Sequence, residues 1–362
     1  MFAVIANYLR EFVESVGNGW NRFWFVRRDP LALSVMRICV GLLALYAHLT
    51  YTPDLARFFG ADGLLPMSAV EELRGSDRFG PTYLEFFTTR GELWGAHAAG
   101  AVVLLLFTAG VFTRVTSVLA LVVVLSYVHR GPMLTSQFEP ILTMFMCYLC
   151  LVPSGAYLSV DRRLALARDA RRTAYERATH PLRTESVLAN IATRLMQIHL
   201  SAIYFVMALA KLSGSDVWWT GTAMWWIVTK PESRAVDFTP LLHSHPYWVD
   251  AWTHAVILYE LAFAILIWNR QLRPLILALG VPMWGLLALA TGHFPFCLMM
   301  LVASLCFVSP SVMRLMLGGG SDRVSRAQPV DAEASSSVAP EKRGTSVHGR
   351  PHSSGATSIL RK

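Results

Sequence analysis

The sequence predicts an all-α protein, a polytopic integral membrane bundle of about eight transmembrane helices, and three observations carry the prediction. Of 362 residues, 54% are hydrophobic and only 15% charged, far less charge than a surface meeting water on every side carries. Apolar stretches of about 20 residues, enough to cross about 30 Å of hydrocarbon at 1.5 Å per residue, recur along the chain. The arginines cluster in a few connections, most densely in the run of seven from Arg162 to Arg183. An ordinary soluble enzyme is excluded.

Residues 1–28 mix Arg10, Glu11, Glu14 and Arg22 with Phe2, Ile5, Leu9, Phe12, Val13 and Val16. That spacing predicts an amphipathic helix on the cytoplasmic membrane face and not a cleavable signal peptide. Residues 29–313 hold the spans, predicted at 31–51, 93–112, 115–129, 138–158, 195–211, 251–268, 272–290 and 295–313. Residues 314–362 turn to Ser, Arg, Pro and Gly, a composition that cannot offset its own ordering entropy, and are expected to be a disordered cytoplasmic tail.

Counting Lys and Arg in the short connections sets the orientation. The connection bearing Arg162 to Arg183 belongs inside, and eight spans place Arg27, Arg28, Arg114, Arg270, Arg273 and the tail beside it. Residues 52–92, with seven acidic residues against four arginines, fall on the opposite face. The expectation is a multi-pass protein of the cell membrane with both termini cytoplasmic. Read this way, the net charge of +8 marks topology, and nucleic acid is not an expected partner; membrane lipids are.

Ionisable groups within apolar segments are costly, so each is a candidate. Lys211 ends an apolar run, and a lysine desolvated there can act as a base toward a weakly acidic substrate; the plain alternative is a lysine reaching for the interface. Trp218, Trp219, Trp225 and Trp226 follow, and paired tryptophans suit the headgroup level. They are expected to cap the outer mouth of the bundle. Glu139, His129 and His293 fall on the same outer side and join Trp218, Trp219 and Trp225 as candidate substrate-binding residues. Arg37 and Glu260 are expected to form a structural pair between helices.

No metal site is expected, since no histidines repeat at His-x-x-x-His spacing on one predicted helix. The five cysteines lie in apolar segments and imply no disulfide framework. Cys147 and Cys150 read as small core residues and not as a redox pair.

Five motifs are familiar in their order: the run from Asp29 to Ile38, Phe59 to Pro66, Leu158 to Asp161, Ala210-Lys211-Leu212, and His293 to Phe296. Together they resemble the HTTM (horizontally transferred transmembrane) domain, the membrane domain of vitamin K-dependent gamma-glutamyl carboxylase and its bacterial relatives, over residues 29–310. The resemblance implies that Lys211 is the base that deprotonates a reduced quinone of the vitamin K hydroquinone kind. Oxygen would then give the epoxide, with carboxylation of a peptide glutamate as the coupled step, a lyase-type activity. The chain departs from the family in having Ala210 before the lysine. Counting back from Ser159-Val160-Asp161, the family's Asn-His pair falls at Gln137-Phe138.

Three functions stay open. The first is an enzyme acting on a quinol or other lipid-soluble substrate at the outer leaflet. The second is a non-catalytic membrane protein binding a lipid, quinone or small peptide, as in toxin-immunity or sporulation-delaying systems. The third is a transporter with Glu260 and Arg37 along its path.

Overall fold

A backbone that leaves water must satisfy its amides internally, and in the computed structural model every predicted apolar run contains a helix. The structure describes residues 2–74, 80–87, 89–179, 184–231 and 234–318. Among them there is no strand, only an isolated bridge between Arg28 and Ser186. The helices of eleven residues or more are α1 (Phe2–Trp24), α2 (Leu31–Thr50), α3 (Arg90–Ala109), α4 (Thr113–Arg130), α5 (Phe138–Cys150), α6 (Val160–Ala170), α7 (Val187–Gly214), α8 (Pro246–Leu266), α9 (Arg273–Thr291) and α10 (Phe294–Ser304).

Six of these, α2, α3, α4, α7, α8 and α9, are long and apolar enough to cross a membrane. Two predicted spans are shorter than expected. The first, α5, stops at Cys150 because Pro153 and the turns around it end the helix. The second, α10, stops at Ser304, passes through a 3-10 turn, and gives way at Pro310 to a separate helix, Pro310–Met316. By contrast α7 starts eight residues before the expected 195, since Arg194 finds partners within it. Its guanidinium lies 4.3 Å from the Phe23 ring and donates to Gln197 Oε1 at 3.0 Å.

Leu42, Val102, Val122, Val206, Leu258 and Val281 all face outward from mid-helix positions, a surface that hydrocarbon tolerates and water does not. Helix α1 likewise exposes Ile5, Leu9, Phe12 and Val16. Only its end is fastened, by Asn190 Nδ2 donating to the carbonyls of Phe23 and Trp24 at 2.8 and 2.9 Å. The polar tail expected from 314 lies, from residue 319 onward, outside the described residues.

The arginine-bearing connections meet at one end of the bundle. Arg28 pairs backbone to backbone with Ser186, and Arg314 forms an ion pair with Asp29. Arg37 donates to the carbonyls of Phe107 at 3.1 Å and Leu158 at 2.7 Å. Both carbonyls lie where a helix or turn ends, the Phe107 carbonyl also accepting from the Gly110 amide at 3.1 Å, and a guanidinium fork suits them. Asp161 completes the corner by accepting from the amides of Phe112 and Thr113 and from the Thr113 hydroxyl, at 2.9, 2.8 and 2.6 Å. The turn passes so close that a Cβ on Gly110, at φ +73, would stand 1.9 Å from Arg37 Nη1. The expected pairing of Arg37 with Glu260 is therefore corrected: Arg37 spends its donors on backbone carbonyls, and Glu260 has another partner.

Gly110→Ala should cost about 1–3 kcal/mol, through a left-handed backbone and a displaced guanidinium, read as a lowered melting temperature in detergent. Burial pushes the Asp161 carboxyl up, but the hydrogen bonds from Thr113 and Phe112 outweigh it and hold it below its ordinary value. Its stabilisation should be complete above about pH 4 and fade as pH falls through the depressed native value. Asp161→Asn should flatten that part of an acid melting series.

Candidate functional site

Lys211 sits one turn before the end of α7, and Glu260 lies deep in α8, against which α7 packs. The lysine Nζ donates to both carboxylate oxygens, at 2.7 and 2.9 Å. Glu260 is 1% exposed and Lys211 19%. Alone, either charge would be expensive away from water; together they cancel, and breaking a buried pair leaves the survivor uncompensated. The Trp218 ring, on the short helix Asp216–Trp219, lies 5.4 Å from Nζ, adding a cation–π contact.

The pair forms part of the wall of a hollow of about 440 Å³ whose other lining includes Trp218, Trp284, His293 and Cys297. A second hollow, about 500 Å³, lies alongside it between α5 and α7, with Pro140, Ile141 and Ile203 in its wall. The two share Gln137, Met207, Lys211, Trp218 and Phe296. Both are mainly apolar, with few polar groups to orient a ligand, as small-molecule sites generally are.

The walls are braced from behind. Trp284 Nε1 donates to the Tyr204 hydroxyl at 2.8 Å, and Tyr204 stacks on Phe263 with ring centres 3.9 Å apart. The tryptophan-bearing helix Ala223–Val228 is tied to α8 where the Met224 amide donates to Thr253 Oγ1 at 3.1 Å. Gly221 permits the turn before it: at φ +74 a Cβ there would meet Asp250 Oδ1 at 1.8 Å.

The expected site residues divide. Lys211, Trp218 and His293 come together at the hollow. Trp219 does not line it; its ring is exposed and its Nε1 donates to the Leu212 carbonyl at 2.8 Å. Trp225 lines a separate hollow with Trp226, His243 and Asp250, because the turn at Gly221 swings the second helix away. Glu139 accepts from the amide and hydroxyl of Ser136, both at 2.8 Å, capping the start of α5. It borders a small void of about 20 Å³ beside His48, Tyr51 and Tyr127. His129 reaches the carbonyl of Pro81 at 3.1 Å, away from Lys211. Trp219, Trp225, Glu139 and His129 thus fall outside the hollow's lining.

Sequence reasoning does not single out Trp284 or Cys297 as site residues, both in the wall, nor the partnership of Glu260 with Lys211. It also passes over His97, although a histidine in an apolar run was signal enough. His48 Nε2 donates to the His97 carbonyl at 2.9 Å, the two rings stack at 4.1 Å, and His97 Nδ1 meets the Tyr127 hydroxyl at 2.8 Å. His97 Nε2 lies 3.0 Å from the Thr52 hydroxyl, so both ring nitrogens of His97 are paired within the fold. All five cysteines are free, and Cys147 is exposed, where a core position was expected. Among the described residues, no three His, Cys, Asp or Glu side chains are placed to hold a metal ion.

No family model, curated protein or solved structure matches the chain. The likeness to the HTTM domain rests on its motifs, and four of the five meet in pairs. Arg37 of the first binds the carbonyl of Leu158 in the third. Lys211 of the fourth shares the hollow with His293 and Phe296 of the fifth. Gln137, where the register puts the first residue of the family's Asn-His pair, lines the same hollow, while Phe138 is buried in the core.

Lys211→Met or Glu260→Met alone should destabilise the protein by about 3–5 kcal/mol, and the double substitution by much less. Thermal melts of the three variants in detergent check this. A double variant as unstable as the sum of the single ones would mean that the two side chains do not depend on each other.

Proposed function

We propose that the chain is a multi-pass membrane protein of eight crossings with cytoplasmic termini. Its Lys211–Glu260 pair, facing the outer leaflet, takes up the proton of a weakly acidic, lipid-soluble ligand. A reduced quinone is the ligand that the HTTM resemblance suggests, with oxidation to the epoxide as the reaction. What supports the reading is one observation: a charge-neutral lysine–glutamate pair stands in the wall of an apolar hollow large enough for a ring system. Such a pair gives an acidic hydroxyl both a proton acceptor and a cation in a place that otherwise offers mainly hydrocarbon contacts. The neighbouring hollow, walled by Ile141, Ile203 and Met207, suits an aliphatic tail.

Binding without turnover is the second reading, and Phe138 favours it. An apolar, buried side chain stands where the register gives the carboxylases a histidine.

Protein in lipid nanodiscs, given a reduced prenylated naphthoquinone, should quench tryptophan fluorescence through Trp218 and Trp284, and Lys211→Ala should weaken that binding at least tenfold, about 1.4 kcal/mol. Under oxygen, mass spectrometry should find epoxide from the wild type and none from Lys211→Ala. Binding with no epoxide selects the second reading, and no binding by the wild type overturns both.

A further inference from the structure

Lys211 holds two of its hydrogen bonds on Glu260, so its amine is already committed to a carboxylate before any ligand arrives. An ammonium has three N–H donors, which leaves one for a ligand. Resting on the proposed reading of the site, we infer that Glu260 is the group that ends up holding the ligand's proton, and that Lys211 is the counter-ion of the ligand's oxyanion. The ligand's O–H bond breaks, its electron pair stays on the ligand oxygen, and the proton forms a bond to a carboxylate oxygen of Glu260. Before transfer the hollow holds ammonium, carboxylate and neutral ligand; afterwards it holds ammonium, carboxylic acid and anion. Net charge stays at zero throughout, which a site walled mainly by apolar side chains requires.

The alternative, a neutral Lys211 amine as the base, reaches the same end. That amine exists beside Glu260 only if the glutamate has already taken the lysine's proton. When the amine then collects the ligand's proton, the pair is again ammonium and carboxylic acid. Either route leaves the added proton on Glu260. Glu260 is the only carboxylate among the described residues lining the hollow. His293 also lines it, with Nδ1 held 3.0 Å from the Thr291 carbonyl, and is the competing acceptor.

A phenol whose ionisation is visible, an alkyl-chain nitrophenol, tests the assignment on the whole protein in detergent at a pH where the free probe is neutral. The wild type should bind it as the yellow phenolate and release no proton to a weakly buffered medium. It should also gain, in difference infrared spectra, the C=O band of a protonated carboxyl. Glu260→Gln should lose that band, and Lys211→Met should hold the probe as the colourless phenol. Phenolate binding by the wild type without a new carboxyl band, or with a proton released, overturns the assignment and leaves the site reading intact. The assignment also falls if the band survives in Glu260→Gln, or if Lys211→Met still binds phenolate. A wild type that binds no probe removes the site reading and the assignment together. The infrared result on the wild type stands even if a variant fails to fold, because no other described carboxylate reaches the hollow.

Discussion

Two opposite charges that cancel between α7 and α8 are the constraint around which the rest of the open end is arranged. Neither Lys211 nor Glu260 is tolerable alone beside hydrocarbon, so each fixes the rotation of the helix that carries it. Once they face each other, the side chains flanking them on the same faces are fixed as well. Tyr204, seven residues before Lys211, falls two turns below it and meets Trp284. Trp218 follows Lys211 by seven residues and closes over its amine. The hollow is the space that this arrangement leaves between helices, and its position follows from the pair.

The opposite end is built on another principle. There the chain uses polar side chains to complete backbone geometry: Arg37 donates to the carbonyls of two turns distant in sequence, and Asp161 accepts from the amides at the start of α4. One end of the molecule is locked by side chains hydrogen-bonded to backbone, and the other keeps a neutral pair beside open space. That division suits a protein that holds its helices firmly and yields only where something enters.

The helices were legible in the sequence because length and hydropathy alone mark an apolar run, as in 31–51 and 272–290, found within a residue or so of α2 and α9. Helix ends were less so. Pro153 and Pro310 cut the fourth and eighth runs short, and Arg194, charged and therefore read as a boundary, lies inside α7 because an aromatic ring and a glutamine receive it. In the site, Lys211, Trp218 and His293 were legible as polar or amphipathic groups near the ends of apolar runs. The partnership was not. Lys211 and Glu260 are 49 residues apart, and hydropathy says which residues lie in a span but not toward which neighbour they turn. The same blindness paired Glu260 with Arg37, and gathered Trp219 and Trp225 into a site from which Gly221 turns the second of them away.

The bond between Arg37 and Leu158 joins residues 121 positions apart, and translation is directional. Arg37 leaves the ribosome long before the carbonyl that receives it has been made. Until then the guanidinium lacks one of the two carbonyls that fix it, and α2 lacks that anchor. Helices α6 to α10 are still to be made when that carbonyl appears, so every partner of the Gly110 corner exists before Glu260 does, and the two ends of the molecule do not depend on each other for their completion.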